Sequence, residues 1–420
     1  MTDFIPAPLR ALPRDGVVLF LTRFTRLFAY GALSVVLVLY LVSLGLTEAQ
    51  VGLLLTLTLA GDMAISLMLT TRADRLGRRR MLIVGAVLMV SAGIAFASTR
   101  NLLFLILAGT IGVISPSGHE VGPFLSIEQA ALSRLVPARS RTDVFAWYTL
   151  AGSFATALGA ACGGTAAGLA QKTSLSNSGS YRVVVLAYAA LGLALVFLFT
   201  RLSSSAEVAE SATETAAAVS TKYFLGVGRS RSIVLKLSSL FALDSFGGGF
   251  VVQSFAAYWF YLRFGVPSAK LGAIFFWANV LAGISAVFAS RLATRIGLVR
   301  TMVVTHLPSN ILLILVPLMP NLTLAVVVLL VRFSISQMDV PTRQSYTMAV
   351  VRPEERSAAG GITGVARTAG AAISPIFAGF LFSRPALMDI PFFIAGTLKI
   401  AYDLVLYRHF VTIQPPEEAD

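Results

Sequence analysis

Nine of the ionisable side chains inside long apolar stretches of this sequence stand out: the acids Asp62, Glu120, Glu128, Asp244 and Asp339, and the arginines Arg26, Arg332, Arg343 and Arg367. A carboxylate held away from water can load and release a proton. An arginine fork can hold an anion or neutralise an acid. Charges at such depth are expensive to keep, so each is a candidate for function. Glu120 adjoins His119, which could share a proton with it. Asp339 and Arg343 stand four apart on one helix face, where they neutralise each other or where a solute or proton competes for one of them. Gln344 follows at once, and Glu128-Gln129 supplies a second acid–amide pair. Asp244 precedes Gly247-Gly248-Gly249, whose backbone can bend or approach a ligand. Arg26 could meet an acid such as Asp62 or an anionic substrate, whereas Arg23 is expected to reach toward the interface. Trp277, next to Asn279, is a pocket candidate. Phe255, Tyr258, Trp259, Phe260 and Tyr261 are expected to form an interfacial belt, with an apolar pocket as the alternative.

The elements that carry these residues are apolar runs of spanning length. Twelve are read, at 17–44, 49–71, 81–99, 102–134, 144–170, 182–201, 233–262, 268–291, 300–319, 322–350, 357–383 and 390–410. A spanning helix needs about 20 mostly apolar residues. Barrel strands would be shorter and would alternate in polarity. Composition agrees: the 420 residues are 56% hydrophobic and 13% charged, with mean hydropathy +0.80. A soluble domain carries about 25% charged residues. A soluble enzyme, a disordered chain and a fibre are excluded, and an all-α membrane protein of twelve transmembrane helices is expected.

The net charge of +13 is not a nucleic-acid signature, because the basic residues cluster between apolar runs. One set of loops holds eighteen Lys and Arg, from Arg72 to Arg356, and the opposite set holds six, Arg100, Lys172, Arg182, Arg263, Lys270 and Arg384. The positive-inside rule then puts both termini in the cytoplasm and the protein in the cytoplasmic, or inner, membrane. Residues 1–16 carry no cleavable-signal pattern, and the single Cys162 allows no internal disulfide.

The stretch 203–232 is rich in small polar residues and reads as a cytoplasmic linker whose glutamates are simply solvated. It divides an N-terminal six-helix bundle, 1–202, from a C-terminal one, 233–420. The bundles repeat. Gly45 and Gly265, Gly52 and Gly272, Arg75 and Arg295, Gly77 and Gly297, and Asn101 and Asn321 are each 220 residues apart. Such parallel repeats occur in secondary transporters. The offset falls to about 216 at Pro137 and Pro353, so the first bundle holds extra residues between Asn101 and Pro137. They are assigned to Ser115-Pro116-Ser117-Gly118-His119-Glu120-Val121-Gly122-Pro123, where two prolines and two glycines can break the helix. Broken helices at membrane depth often mark substrate sites.

After the second span comes Asp74-Arg75-Leu76-Gly77-Arg78-Arg79-Arg80, with Thr70 four residues ahead of the acid. It resembles the loop signature Gly-x-x-x-Asp-Arg-x-Gly-Arg-Arg of the major facilitator superfamily, departing at Thr70. The second bundle keeps a weakened copy, Thr294-Arg295-Ile296-Gly297. The resemblance extends over nearly the whole chain. It implies two pseudo-symmetric bundles and a gating role for Asp74, Arg75, Gly77, Arg78 and Arg79, in which a charge relay clasps the cytoplasmic side. The alternative is that these arginines only set topology. Gly152, Gly159, Gly163 and Gly164 faintly resemble the family's antiporter helix, but without its proline, and close packing is the favoured reading.

No Walker loop, Gly-x-Ser-x-Gly elbow or His-Glu-x-x-His pattern is present, so no enzyme, no cofactor and no direct use of ATP are expected. The three histidines are too scattered to suggest a metal site. The leading expectation is a monomeric secondary transporter of a small molecule, working by alternating access with proton-coupled efflux. Proton-coupled uptake of a small organic acid is the alternative, encouraged by Arg26, Arg332 and Arg343. A non-transporting receptor or assembly partner on the same scaffold is the alternative of another class.

Overall fold

The computed structural model describes residues 12–120, 122–203, 205, 207, 228, 230–352 and 355–413, with the side chains at 74, 75, 138–143 and 357 outside that description. All regular structure among them is helical. In chain order the helices are α1 (Arg14–Ser43), α2 (Glu48–Leu76), α3 (Arg78–Ser98), α4 (Leu102–Ile111), α5 (Phe124–Leu135), α6 (Ala138–Ala170) and α7 (Asn177–Thr200). They continue with α8 (Arg231–Gly249), α9 (Gln253–Phe264), α10 (Ser268–Ile296), α11 (Leu298–Leu315), α12 (Leu322–Phe333), α13 (Asp339–Ala349), α14 (Arg356–Phe382) and α15 (Ile390–Phe410). Among the described residues ten helical stretches are long and apolar enough to cross a membrane, α8 and α9 counting as one, and α4 and α12 are shorter apolar helices. Together these account for the twelve spans of the sequence; the fourth and tenth are split in two, and the seventh is divided between α8 and α9 at 250–252.

The internal repeat is visible in the caps. Gly77 and Gly297 precede α3 and α11 with φ of 99° and 86°. Gly45 and Gly265 follow α1 and α9 with φ of 97° and 62°. These are left-handed conformations that favour glycine. Asn101 caps α4 by accepting from the Leu103 and Phe104 N–H groups, and Asn321 caps α12 by accepting from Leu324 N–H.

The first split falls where the sequence placed it. α4 ends at Ile111 and α5 starts at Phe124, with Gly118 and Gly122 at φ of 72° and 81° between them. Side chains satisfy the carbonyls released there. Ser115 Oγ donates to His119 O at 2.7 Å, Thr156 Oγ1 donates to Gly118 O at 3.3 Å, and the Tyr188 hydroxyl donates to Val113 O. Irregular backbone at membrane depth needs such partners. The second split separates α12 from α13 at 334–338. Pro341 is the third residue of α13. There its missing N–H costs nothing, because the first turn lacks intrahelical acceptors.

The chain forms two compact units. The first comprises Met1–Leu46, Gly61–Ala217 and Val266–Phe276, and the second Thr47–Ala60, Ala218–Gly265 and Trp277–Asp420. Close approach of backbones explains several glycines within each. In the first unit a Cβ on Gly31 or Gly159 would overlap the backbone of Thr156 or Phe28. The packing reading of the glycines in the fifth span therefore accounts for Gly159.

Candidate functional site

The first unit holds a buried cluster of two arginines and two glutamates. α1 supplies Arg23 and Arg26, the break supplies Glu120, and α5 supplies Glu128. Arg26 Nη1 and Nη2 donate to the two Glu128 oxygens at 2.8 and 2.7 Å, and its Nε donates to Glu120 at 2.7 Å. Arg23 Nη1 donates to the other Glu120 oxygen at 3.1 Å. Thr22 Oγ1 and the Tyr148 hydroxyl also donate to Glu128. The guanidinium of Arg26 lies 4.6 Å from the Phe124 ring centroid, and that of Arg23 lies 4.4 Å from Tyr148. Arg26 and Glu128 side chains are 0% exposed, whereas Glu120 keeps 15%. The four charges balance, and one of them still meets solvent.

Arg26 therefore meets Glu120 and Glu128 rather than Asp62. Arg23 is drawn inward onto Glu120 instead of reaching for the interface, because the acid is within range of its fork. Asp62 is buried on α2, and its Oδ1 has no hydrogen-bond partner. His119 is exposed, and its backbone carbonyl is what joins the break's hydrogen bonds.

The second unit holds a larger cluster around Asp244 of α8. Lys399 Nζ of α15 donates to Asp244 Oδ1 at 2.6 Å, and Arg343 Nη1 of α13 donates to Oδ2 at 3.0 Å. Arg343 Nη2 also reaches Asp339 at 3.5 Å, the pairing its spacing predicts. His306 Nε2 of α11 stands 3.7 Å from Asp244, and its Nδ1 stands 2.8 Å from Asp403 Oδ1 on α15. Asn310 donates to the other Asp403 oxygen at 2.9 Å. Arg332 and Arg367 each have a buried Nε without a hydrogen-bond partner, as does Arg343. Ligand atoms of Asp244, His306 and Asp339 lie within 4.8 Å of one another, but Lys399 and Arg343 already supply the cations there.

Asp244, Asp339 and Arg343 are thus brought together. Gln344, beside them in sequence, is exposed, and Trp277 is 56% exposed. The aromatic group of α9 is not a lipid-facing belt. Phe255, Tyr258, Trp259 and Phe260 are buried, Tyr258 donates to Glu48 at 2.6 Å, and Trp259 Nε1 donates to Asp389 at 2.7 Å. Among them only Tyr261 is exposed.

Sequence reasoning missed His306, Asn310, Lys399 and Asp403. The signal was present: His306 and Asn310, and Lys399 and Asp403, are polar pairs at helical four-residue spacing inside apolar runs.

At the signature loop, Gly77 opens α3, and Glu207 of the predicted linker accepts from the Arg78 and Arg79 N–H groups at 2.6 and 3.0 Å. An acid at a helix N-terminus satisfies orphan donors and complements the dipole. Glu207 is therefore a cap, not a solvated charge. Its backbone carbonyl accepts from Arg134 at 2.7 Å, and Ser203 and Ser205 donate to Asp15 at 2.6 and 2.8 Å. The side chains of Asp74 and Arg75, and most of 203–232, lie outside the described residues.

A profile of the Major Facilitator Superfamily matches residues 19–375 and 264–420. The chain belongs to this superfamily. A Saccharomyces cerevisiae relative, the uncharacterized membrane protein YJR124C, is 32% identical over 98% of each chain. Among solved structures, the superfamily fold is shared with a point variant of the nucleoside transporter NupG, at TM-score 0.75 and 12% identity, covering 94% of this chain and 100% of that one. A D-xylose-proton symporter matches at TM-score 0.71 and 15% identity, covering 96% and 99%. As a superfamily member the chain is a multi-pass transporter of a small molecule and not an enzyme.

Proposed function

We propose that the protein is a proton-coupled secondary transporter that exports a small solute by alternating access, with Glu120 carrying the proton. The observation that supports this is the asymmetry of the first cluster. Glu128 is sealed beneath Arg26, Thr22 and Tyr148, while Glu120, on irregular backbone, keeps 15% of its side chain exposed. Protonating Glu120 weakens its bonds to Arg23 and Arg26 and leaves the Arg26–Glu128 fork in place. The cluster then gains one positive charge, and the bond between the break and α1 is loosened. A proton can bias a two-state element in this way.

The signature loop belongs to the same proposal: Asp74, Arg75, Arg78 and Arg79 gate the cytoplasmic side, with both termini there, in a monomer in the cytoplasmic membrane. A second reading is uptake of an organic acid, supported by the buried, unpartnered Nε atoms of Arg332, Arg343 and Arg367.

The test is growth of an efflux-deficient bacterial host expressing the protein, across toxic dyes, antibiotics, metalloids and organic-acid analogues. Resistance that disappears in Glu120→Gln supports proton-coupled export. Increased sensitivity to a compound assigns uptake instead. Full resistance in Glu120→Gln removes that residue from the proton path. No change with any compound points to a non-toxic metabolite as the solute, or to the non-transporting receptor.

A further inference from the structure

His306 sits between two acids and takes no part in the proton path proposed above. Its ring, on α11, is buried. Nδ1 stands 2.8 Å from Asp403 Oδ1, and Nε2 stands 3.7 Å from Asp244 Oδ1. Asn310 donates to Asp403 Oδ2 at 2.9 Å, and its Nδ2 also lies 3.1 Å from His306 Nδ1. With one donor on Oδ2 and a ring nitrogen at hydrogen-bond distance from Oδ1, Asp403 is placed as an acceptor-only carboxylate, and the hydrogen between it and the ring is assigned to Nδ1. Nε2, facing Asp244, is the position left to gain or lose a proton.

The groups around the ring give that position its chemistry. α8 brings Asp244, α13 brings Asp339 and Arg343, and α15 brings Lys399 and Asp403. Ligand atoms of Asp339, Asp244 and His306 lie within 4.8 Å of one another. Tyr402 of α15 meets the ring edge-on, 5.8 Å between centroids. Arg332, the one charge of α12, and Arg367 of α14 form no ion pair with these acids among the described residues. Three carboxylates therefore contact two fixed cations, Arg343 and Lys399. With a neutral ring this buried set keeps one negative charge, and the Nε2 lone pair stands against a carboxylate oxygen. With Nε2 protonated, three cations balance three acids. An uncompensated buried charge is costly, so the proton-bound arrangement is the stable one. Solvent meets the cluster on the Nε2 side: the Lys399 side chain is 11% exposed, whereas that of Asp403, beyond Nδ1, is 0% exposed.

We infer that His306 is a proton-binding site of the second unit, which takes up and releases its proton at Nε2 beside Asp244. Release removes the attraction between α11 and α8, while Nδ1 and Asn310 keep α11 tied to Asp403. The use of this proton in coupling rests on the transport reading above; its binding does not. Asn310 is a positioning residue that holds Asp403 on Nδ1.

The experiment is nitrogen NMR of the full-length protein in lipid vesicles, with isotope-labelled histidine, between about pH 5 and pH 9, a range that spans the ordinary charge change of histidine. The chain has three histidines, and the signals lost in His119→Gln and His409→Gln leave that of His306 identified. This signal should pass from imidazolium to the neutral ring protonated at Nδ1 as the pH rises. In Asp403→Asn, which keeps an acceptor but deletes one negative charge, a neutral ring already balances the cluster, and the neutral form should predominate over the whole range. A wild-type ring that stays neutral throughout, or one that stays charged throughout, overturns the site. Thermal unfolding supplies a second readout. Between about pH 6 and pH 9 the melting temperature of the wild type should fall more steeply than that of His306→Gln, because the proton that balances the cluster is lost over that range. Parallel curves would make His306 a structural residue and overturn the proposal. Neither measurement needs a transported solute. A titrating His306 with no growth phenotype would keep the site and remove the transport reading, and export with a His306 that does not titrate would do the reverse.

Discussion

Arg26 gives three of its donors to two acids, and the Glu128 it grips is 0% exposed. Removing one partner of such a pair leaves a buried charge, at a cost of about 3–5 kcal/mol, whereas replacing both with apolar groups is often close to neutral. Arg26→Met should therefore lower the melting temperature sharply. Adding Glu128→Leu should recover part of the loss, and a double variant at least as unstable as the two single losses combined would contradict this account. Spacing identified both residues as buried charges but not as partners. They are 102 positions apart, and what joins them is the packing of α1 against α5. Asp339 and Arg343 could be paired from the sequence because both lie on one turn of helix. Asp244 with Lys399, 155 positions away, could not.

At the scale of the element, the repeat was legible because it is written in residues with a backbone job. Asn101 and Asn321 accept from N–H groups at the starts of α4 and α12, and neither carboxamide is needed for anything else in that structure. Asn101→Ala and Asn321→Ala should each cost about 0.5–2 kcal/mol, the usual loss for such a cap. Similar falls in melting temperature are expected for the two, and a large effect of one alone would argue against equivalent roles. The first helix break was legible for the same reason, since Gly118 and Gly122 take positive φ that most residues avoid. The second break was not, because Ser334 to Met338 contain neither glycine nor proline. Glu207 was misread because a cap supplied from a distant segment leaves no local pattern. Glu207→Gln keeps an acceptor but loses the charge, so it should loosen the start of α3 only slightly, whereas Glu207→Ala should make the Arg78 and Arg79 amides exchange faster with deuterium. Unchanged exchange in Glu207→Ala would refute the cap.

For the whole molecule, the proposed orientation rests on eighteen basic residues against six. The bias is large, and it is carried by short loops, where the positive-inside rule applies. The rule yields a sharp test because the chain has one cysteine, Cys162, which is exposed and can be replaced by serine. In that background, single cysteines at Lys172 or Lys270, both exposed, should react with a membrane-impermeant maleimide added to intact cells. Cysteines at Arg231 or Arg300, also exposed, should react only after permeabilisation. The reverse pattern would do more than flip a diagram. It would place Gly77, Arg78, Arg79 and their Glu207 cap on the outer side, and the proposed cytoplasmic clasp could not operate there. It would also invert the sense in which a proton on Glu120 is taken up and released, so that the same gradient would drive uptake instead of export. With the expected pattern, Asp74→Asn becomes informative in its own right: a gating acid changes how fast the cysteines on either side are labelled, and an acid that only accompanies topology leaves both rates unchanged.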